Sequence, residues 1–163
     1  VEDDQGNRFV SEYGGSNRVQ KFDGDWQHML TFGGIGDRPG EFQRPSGMAW
    51  HDGRLYIVDA FNDRIQVFDG QGRFLKILGT KDETSRLHYP YDIALGPRQE
   101  LWVVEYGAGR ISRFNLEGDL LGRFGSTGSG PNQFGTPWGL AVDSSRRVWV
   151  ADTRNHRIVA VDP

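Results

Sequence analysis

Pro45-Ser46-Gly47-Met48-Ala49 returns as Pro90-Tyr91-Asp92-Ile93-Ala94 and a third time as Pro137-Trp138-Gly139-Leu140-Ala141. The three prolines are 45 and 47 residues apart in a chain of 163 residues. Self-similarity at a fixed period of this length is the signature of a repeat architecture. The organisation of the whole chain therefore follows from the structure of one unit.

Two further columns of residues keep the same period. An acidic residue precedes an arginine by five positions in three units and by six positions in the first. The pairs are Glu12 and Arg18, Asp59 and Arg64, Glu105 and Arg110, and Asp152 and Arg157. They could form a ring of charged ligands, but a binding site normally breaks repeat symmetry whereas scaffolding keeps it. We therefore interpret each pair as a charge-assisted hydrogen bond that pins a hairpin within its unit.

Each unit contains four short apolar or alternating runs bounded by turn residues. In the second unit these runs are residues 47–50, 55–58, 64–68 and 74–78. They are rich in β-branched and aromatic residues, and Asp52-Gly53 and Asp69-Gly70 between them supply the positive φ angles that tight hairpins require. No segment shows a sustained period of 3.6 residues. The pattern predicts an all-β chain of four antiparallel strands per repeat, as in a β-propeller blade.

The most complete unit also carries a family resemblance. Gln133-Phe134, Pro-Trp-Gly-Leu-Ala-Val-Asp at 137–143 and Val-Ala-Asp-Thr-Arg-Asn-His-Arg-Ile at 150–158 are similar to NHL repeats, and related segments recur at 11–22, 45–68 and 90–114. The resemblance covers essentially the whole chain. It implies one NHL-repeat β-propeller domain over residues 1–163, with repeats at approximately 1–44, 45–89, 90–136 and 137–163. Its specificity for function is low, since propellers host many unrelated activities.

The resemblance also sets an expectation for the size of the ring. Val1 aligns with Val142 at the end of an innermost strand, and the chain stops after the third strand of a unit, so about three and a half blades are present. NHL propellers resemble closed six-bladed rings. We therefore expect this chain to be part of a six-bladed ring, either as a fragment of a longer protein or with another chain completing the ring, and to self-associate when isolated because open blade faces are apolar.

Composition excludes several classes of protein. The chain has 19 basic and 22 acidic side chains, a net charge of -3, and no cysteine, which excludes disulfides, thiolate zinc sites and cysteine nucleophiles. No apolar run approaches the roughly 18 residues of a membrane helix. We expect no signal peptide within the chain, because Val1-Glu2-Asp3-Asp4 has neither a basic start nor an apolar run. The composition leaves the compartment open, with an extracytoplasmic or periplasmic location favoured.

Aromatic residues recur in the loops that should meet at one end of the propeller. Tyr13 and Tyr106 directly follow a repeat acid and Phe61 lies two positions after one, while Tyr89, Tyr91 and Trp138 flank the repeat prolines. These aromatics either pack between blades or anchor a partner. The binding residues that we predict around one end of the propeller are Tyr13, Arg44, Phe61, Tyr91, Asp92, Tyr106, Trp138 and Arg154.

Asp92 stands where the other units have Gly47 and Gly139. Inner-strand carboxylates in gluconolactonase-like propellers resemble this placement and hold a divalent cation. The favoured interpretation is structural: an aspartate that is solvated at the channel mouth or bonded to a neighbouring backbone amide. The four histidines occupy no common repeat column, so we predict no metal site and no cofactor.

The leading hypothesis is a noncatalytic propeller that serves as a protein-interaction or ligand-binding scaffold, as a subunit of a larger complex. It rests on the absence of an activated nucleophile, a phosphate-binding glycine loop and metal-ligand spacing. One alternative is a metal-dependent enzyme of lactonase-like or amidating-lyase-like type. The other is an RNA-binding NHL domain, which is less favoured because acidic neighbours offset the loop arginines.

Overall fold

The strands of the chain are short and follow one another through tight turns and connections. The computed structural model describes residues 1–80 and 82–162. The strands are β1 (Arg8–Ser11), β2 (Arg18–Phe22), β3 (His28–Gly33), β4 (Pro45–His51), β5 (Arg54–Asp59), β6 (Arg64–Asp69), β7 (Phe74–Leu78), β8 (Pro90–Leu95), β9 (Glu100–Glu105), β10 (Arg110–Asn115), β11 (Leu120–Phe124), β12 (Ser126–Thr127), β13 (Gln133–Phe134), β14 (Pro137–Val142), β15 (Val148–Asp152) and β16 (Arg157–Val161).

The strands form four antiparallel sheets in which sequential neighbours pair. We call them blade 1 (β1–β3), blade 2 (β4–β7), blade 3 (β8–β11) and blade 4 (β14–β16), while β12 and β13 form a short parallel pair in the connection between blades 3 and 4. Ahead of blade 1, Glu2 bridges Arg8, and Phe9 donates its N–H to the carbonyl of Val1 at 2.8 Å. The all-β propeller architecture predicted from the repeats is confirmed.

Hairpin geometry follows the turn residues. Between β4 and β5, Asp52 and Gly53 both have positive φ, 46° and 72°. A two-residue turn of this kind twists in the same sense as the strands it joins. Between β6 and β7, the carboxylate of Asp69 accepts the N–H groups of Gln71 and Arg73 at 2.9 and 3.0 Å. The Asp-Gly signals of the sequence therefore mark hairpins at the expected places.

The hydrophobic core lies between blades rather than inside any one of them. Strand β5 is buried on both faces: Leu55 and Ile57 pack with Phe9 of blade 1, whereas Tyr56 and Val58 pack with residues of blade 3. A third cluster joins blades 3 and 4. Because side chains alternate along a strand, each blade contributes one face to each neighbour.

Hydrogen bonds also connect successive blades through their strands β1, β4, β8 and β14. The hydroxyl of Ser11 donates to the carbonyl of Ser46 at 2.8 Å, and the hydroxyl of Ser46 donates to the carbonyl of Tyr91 at 2.6 Å. At the next boundary the N–H of Leu140 donates to the Asp92 carboxylate at 3.0 Å. Each boundary between blades is thus held by at least one polar contact near the propeller axis.

The repeated acid and arginine form a buried clamp. Asp59 is fully buried at the end of β5, and one of its oxygens accepts the Arg64 guanidinium at 2.7 Å. Its other oxygen accepts the N–H of Gln43, at 2.7 Å, from the connection that enters blade 2. Arg64 donates further to the carbonyls of Asp37, Arg38 and Glu41 at 2.7 to 3.0 Å. The clamp therefore holds the hairpin and the preceding connection together.

Blade 4 repeats this arrangement. The Asp152 carboxylate accepts Arg157 at 2.9 Å and the N–H of Gly135 at 2.7 Å. Arg157 in turn donates to the carbonyls of Ser129, Gly130 and Gln133. The pairs between Glu105 and Arg110 and between Glu12 and Arg18 are also formed. These pairs therefore hold the hairpin, as the sequence predicts, and in blades 2 and 4 they also hold the connection that leads into the blade.

Helical structure is restricted to single 3₁₀ turns, Ala60–Asn62 and Thr153–Asn155, in the part of the chain that the structure covers. Within that part, no helix has the length and apolar character needed to cross a bilayer. Both 3₁₀ turns lie between the second and third strands of a blade. They carry Phe61 and Arg154 to the end of the propeller where the clamps lie.

Replacing Asp59 by Ala should cost about 3 kcal/mol of folding free energy, because Arg64 would keep a buried charge without its carboxylate. The free energy of unfolding from denaturant titration measures the loss. Glu83→Ala is the control, since the partner Arg86 is 3.7 Å away and both side chains are largely exposed. Equal midpoints for the native chain and Asp59→Ala would contradict the clamp.

Candidate aromatic binding surface

Each complete repeat contributes two kinds of segment to one end of the propeller. These are the turns between the second and third strands and the connections that lead from one blade into the next. Antiparallel strands alternate in direction, so both kinds of segment leave the sheet at the same end. The clamps fix the paths of these segments, and their side chains form the surface described next.

Six aromatic side chains from the blades form one continuous group, which we call the aromatic rim. Adjacent ring centroids lie 5.0 to 6.3 Å apart, from Phe61 through Tyr89 and Tyr106 to Trp138, and back through Tyr91 to Tyr13. Tyr91 and Trp138 are stacked with an interplanar angle of 16°. The aromatic rim consists of Tyr13, Phe61, Tyr89, Tyr91, Tyr106 and Trp138.

The aromatic rim is open to solvent although its rings touch. Tyr13, Phe61 and Trp138 are exposed to 41%, 44% and 47%, whereas the other three rings are half-buried. Rings that pack only between blades would be buried, as Phe9 and Phe68 are. The arrangement gives a preordered aromatic surface of mostly tilted rings with hydroxyl groups along it, which suits contact with another molecule.

Arg44 lies over the edge of this surface. Its guanidinium carbon is 4.1 Å from the ring centroid of Phe61 and 5.4 Å from that of Tyr13, and Nη1 donates to the Tyr13 hydroxyl at 3.3 Å. Contacts between a guanidinium and ring faces orient the cation while leaving its donors available. Arg44 is therefore a fixed positive group on an otherwise aromatic surface.

The backbone around Arg44 is held in an uncommon conformation. Arg44 and Tyr89 each precede a repeat proline and have φ of 60° and 47°. The Arg44 N–H donates to the Asn17 side-chain oxygen at 2.7 Å, and the Tyr89 N–H donates to the Asp63 carboxylate at 2.6 Å. Left-handed residues other than glycine cost energy and persist where surrounding structure fixes them. These two hydrogen bonds supply that constraint.

The tyrosine hydroxyls interact with one another. The hydroxyl oxygens of Tyr13 and Tyr89 are 3.4 Å apart. Burial raises the pKa of Tyr13, but hydrogen bonds from Tyr89 and Arg44 favour its anion more, so its pKa lies below the ordinary value of 10.0. Burial and the neighbouring Tyr13 raise the pKa of Tyr89 to about 12. The pair of phenols therefore loses its first proton more readily than an ordinary tyrosine and its second less readily.

Tyr13→Phe should remove the earliest step of tyrosine ionisation, because the phenol favoured by Arg44 would be gone. It should also lower the pKa of Tyr89, whose upward shift depends partly on Tyr13. Ultraviolet absorbance of tyrosinate against pH measures both changes. Tyr56→Phe serves as the control, since burial in the core raises the pKa of Tyr56. An unchanged first step in Tyr13→Phe would contradict the assigned order.

Asp92 has a structural environment. Its carboxylate accepts the N–H of Ile93 at 2.9 Å and the N–H of Leu140 at 3.0 Å, so it joins β8 to β14. Burial raises its pKa, and the two backbone hydrogen bonds oppose that shift. The carboxylate lies against Gly47, where an added Cβ would come within 2.2 Å of Oδ1. Of the two structural interpretations given for Asp92 in the sequence analysis, this geometry corresponds to the aspartate bonded to a neighbouring backbone amide.

Gly47→Ala should destabilise the chain by about 1 to 3 kcal/mol, because its Cβ would also meet the Asp92 Cα at 2.7 Å and force two inner strands apart. Gly139→Ala is the matched control at the equivalent repeat position, where the nearest atom to an added Cβ is 3.7 Å away. Thermal or denaturant unfolding compares the two variants. A larger loss of stability in Gly139→Ala than in Gly47→Ala would refute the close approach between Gly47 and Asp92.

The structure brings together six of the eight residues predicted for binding, namely five aromatics of the rim and Arg44. Asp92 follows Tyr91 in sequence, but its carboxylate bonds the backbone of Ile93 and Leu140 instead. Arg154 is exposed on blade 4, and none of its contacts among the described residues reaches the aromatic rim. Tyr89, which the predicted binding set omits, contacts Tyr13, Phe61 and Tyr106. Its place before a repeat proline, equivalent to Arg44, was the signal available in the sequence.

Acidic and histidine side chains do not gather into a metal-binding group. Across residues 1–80 and 82–162, no set of three or more is placed to hold a metal ion. The polar groups of the aromatic rim are phenols and the indole N–H of Trp138, and the Arg44 guanidinium lies beside them. Their arrangement offers hydrogen-bond donors and ring faces rather than metal ligands.

Comparison with known proteins agrees with the repeat assignment. The NHL repeat model matches residues 134–160. Protein brain tumor of Drosophila melanogaster is 30% identical over 139 residues, 83% of this chain and 13% of that protein. NHL repeat-containing protein 3 of Homo sapiens is 28% identical over 120 residues, 72% of this chain and 33% of that protein. The chain therefore spans a third or less of these two relatives.

Solved structures share the fold at low sequence identity. A streptogramin B lyase structure matches with a TM-score of 0.72 and 18% identity, covering 99% of this chain and 53% of that one. A chain of a nidogen/laminin complex matches with a TM-score of 0.69 and 19% identity, covering 90% and 52%. At these identities the likeness concerns the fold alone, and this chain spans about half of each.

Proposed function

We propose that this chain, an NHL-repeat β-propeller protein, is a noncatalytic binding module that holds a protein partner on its aromatic rim. The single observation that carries the proposal is the continuity of the rim: six touching rings from neighbouring blades with Arg44 over one edge. Aromatic and arginine side chains supply a disproportionate share of binding energy in protein interfaces. The clamps hold the segments that carry these side chains, which lowers the entropy lost on binding.

A protein partner is favoured over a nucleic acid by the local charge. Arg44 is the cation that contacts the rim rings, whereas the Asp63 carboxylate contacts the Tyr89 backbone. Binding of single-stranded nucleic acid combines aromatic stacking with a basic groove that follows the phosphates. The aromatic component is present here, and the chain as a whole has a net charge of -3. This balance supports a partner of mixed or low charge.

Selection of a displayed random peptide library on the whole chain tests the proposal. Peptides enriched on the native chain should bind Trp138→Ala about 30-fold more weakly, as expected for loss of about 2 kcal/mol at an interface centre. Trp26→Asn is the control, because Trp26 is a 59% exposed tryptophan in the connection between β2 and β3, at the other end. Asparagine readily adopts its left-handed backbone, φ 64°.

Two outcomes would contradict the proposal. One is equal loss of peptide binding in Trp138→Ala and Trp26→Asn, which would place no binding at the aromatic rim. The other is an absence of enriched peptides together with Trp138-dependent binding of a single-stranded RNA oligonucleotide. That result would favour the RNA-binding alternative.

A further inference from the structure

Arg44 differs from the arginines of the repeated clamps. Arg64 and Arg157 each lie within 2.9 Å of a buried carboxylate. Arg44 has ring faces and a phenol as neighbours, and within the described ranges no carboxylate lies at ion-pair distance from it. A fixed, exposed guanidinium without an acidic partner retains donors for an external acceptor.

The hydroxyl groups beside Arg44 add further donors. The Tyr13 hydroxyl accepts from Arg44 and lies 3.4 Å from the Tyr89 hydroxyl. Each phenol has one hydroxyl proton to donate. One of the two protons serves the hydrogen bond between the phenols, and the other is available to a ligand. The Tyr91 ring is 5.7 Å from the Tyr13 ring and extends the same surface towards Trp138. Hydrogen-bond donors and aromatic ring surface therefore lie side by side.

The structure maintains this arrangement at an energetic cost. Both Arg44 and Tyr89 are left-handed residues before prolines, and each is held by one side-chain oxygen from the neighbouring turn. The equivalent Thr136 before Pro137 does not share the positive φ, and Gly109 stands where Asn17 and Asp63 supply these oxygens. Among the residues that precede the three repeat prolines, the left-handed backbone thus occurs at the two that lie beside Tyr13.

We propose that Arg44, together with the hydroxyls of Tyr13 and Tyr89, binds a single carboxylate of a peptide whose neighbouring apolar side chains lie on the aromatic rim. The inference rests on the proposed function, because it assigns the chemistry of a peptide held there. A guanidinium fork matches the two oxygens of a carboxylate, and phenol donors complete its hydrogen bonds. Among the described residues, Arg44 is the cation that lies against the Tyr13 hydroxyl, so it balances one carboxylate, whereas a phosphate dianion would require a second cation.

Two synthetic peptides test the inference on the whole chain: acetyl-Phe-Asp-Phe-amide and acetyl-Phe-Asn-Phe-amide. They differ only in the central side chain, which is a carboxylate in the first peptide and a neutral amide of similar shape in the second. NMR titration followed through the indole N–H of Trp138 reports binding in every variant. The native chain should bind the Asp peptide at least about tenfold more tightly, as expected for about 1.4 kcal/mol from a charge-assisted pair. Arg44→Asn should bind both peptides equally, and Tyr89→Phe should show an intermediate preference.

Arg44→Asn suits this purpose because the Arg44 side chain is exposed and asparagine adopts the left-handed backbone readily. Arg73→Gln is the matched control: its guanidinium pairs with Asp69 at 2.7 Å in the turn between β6 and β7, at the other end of the propeller. It should leave the preference for the Asp peptide unchanged. Sodium acetate and inorganic phosphate, titrated at constant ionic strength, compare the two anion classes directly.

Equal affinity of the native chain for the two peptides, or an unchanged preference in Arg44→Asn, would overturn the carboxylate site. Absence of saturable binding of either peptide, or phosphate binding tenfold tighter than acetate, would overturn it as well. Failure of the proposed function gives a different result. If peptides bind the native chain more tightly than Trp138→Ala but without preference for a carboxylate, only the carboxylate site is refuted. If Trp138→Ala binds peptides as tightly as the native chain, the proposed function itself is refuted.

Discussion

The buried carboxylate that accepts an arginine five residues later is the interaction on which the propeller depends. In blades 2 and 4 one carboxylate oxygen receives the guanidinium and the other receives a backbone N–H from the preceding connection. The arginine then donates to carbonyls of that connection. A buried ion pair alone contributes little net stability, because desolvation offsets its attraction. Here the pair also satisfies backbone groups that would otherwise be buried without partners.

Since the clamps hold the connections, the side chains at this end of the propeller are presented on a constrained backbone. The aromatic rim contains rings from all four blades and from the connection between blades 2 and 3, and Arg44 is fixed over Phe61 at 4.1 Å. Inner-strand contacts add to this order: Asp92 bonds to Leu140 and occupies space that only glycine leaves at position 47. The same sheet end therefore combines repeated contacts that hold the blades with unrepeated side chains that are available to a partner.

The fold follows from the sequence because its signals are local and repeated. Asp-Gly turns, alternating apolar strands and the prolines of each unit predict the blades, and the comparisons support the NHL assignment. The second role of Arg64 was not predictable in this way. Its carbonyl partners lie 23 to 27 residues upstream in a connection without periodic pattern. Only the folded path of that connection brings them to the guanidinium.

Some residues of the candidate site could likewise be predicted from the sequence, and others could not. Turn position and strand direction determine at which end of the propeller a residue lies. The sequence could therefore assign five aromatics to one end: Tyr13, Phe61, Tyr91, Tyr106 and Trp138. The position of Tyr89 before a repeat proline assigns it to the same end, but its central place among the rings depends on a left-handed backbone and on the Asp63 carboxylate, which only the folded structure shows. Arg154 occupies a position similar to that of Phe61 in its repeat, yet it lies away from the rim. Repeat position thus determines the end of the propeller, while individual neighbours determine which side chains meet.

The acceptors that the clamp arginines use in the connections are main-chain carbonyls. Arg64 binds Asp37, Arg38 and Glu41 through atoms that every residue type possesses, and Arg157 treats Ser129, Gly130 and Gln133 alike. The identity of the side chains in these segments is thereby separated from the route that the backbone takes. Evolution or a protein engineer can rewrite the surface chemistry of such a connection while the architecture beneath it stays the same, so one frame can be retargeted to many ligands.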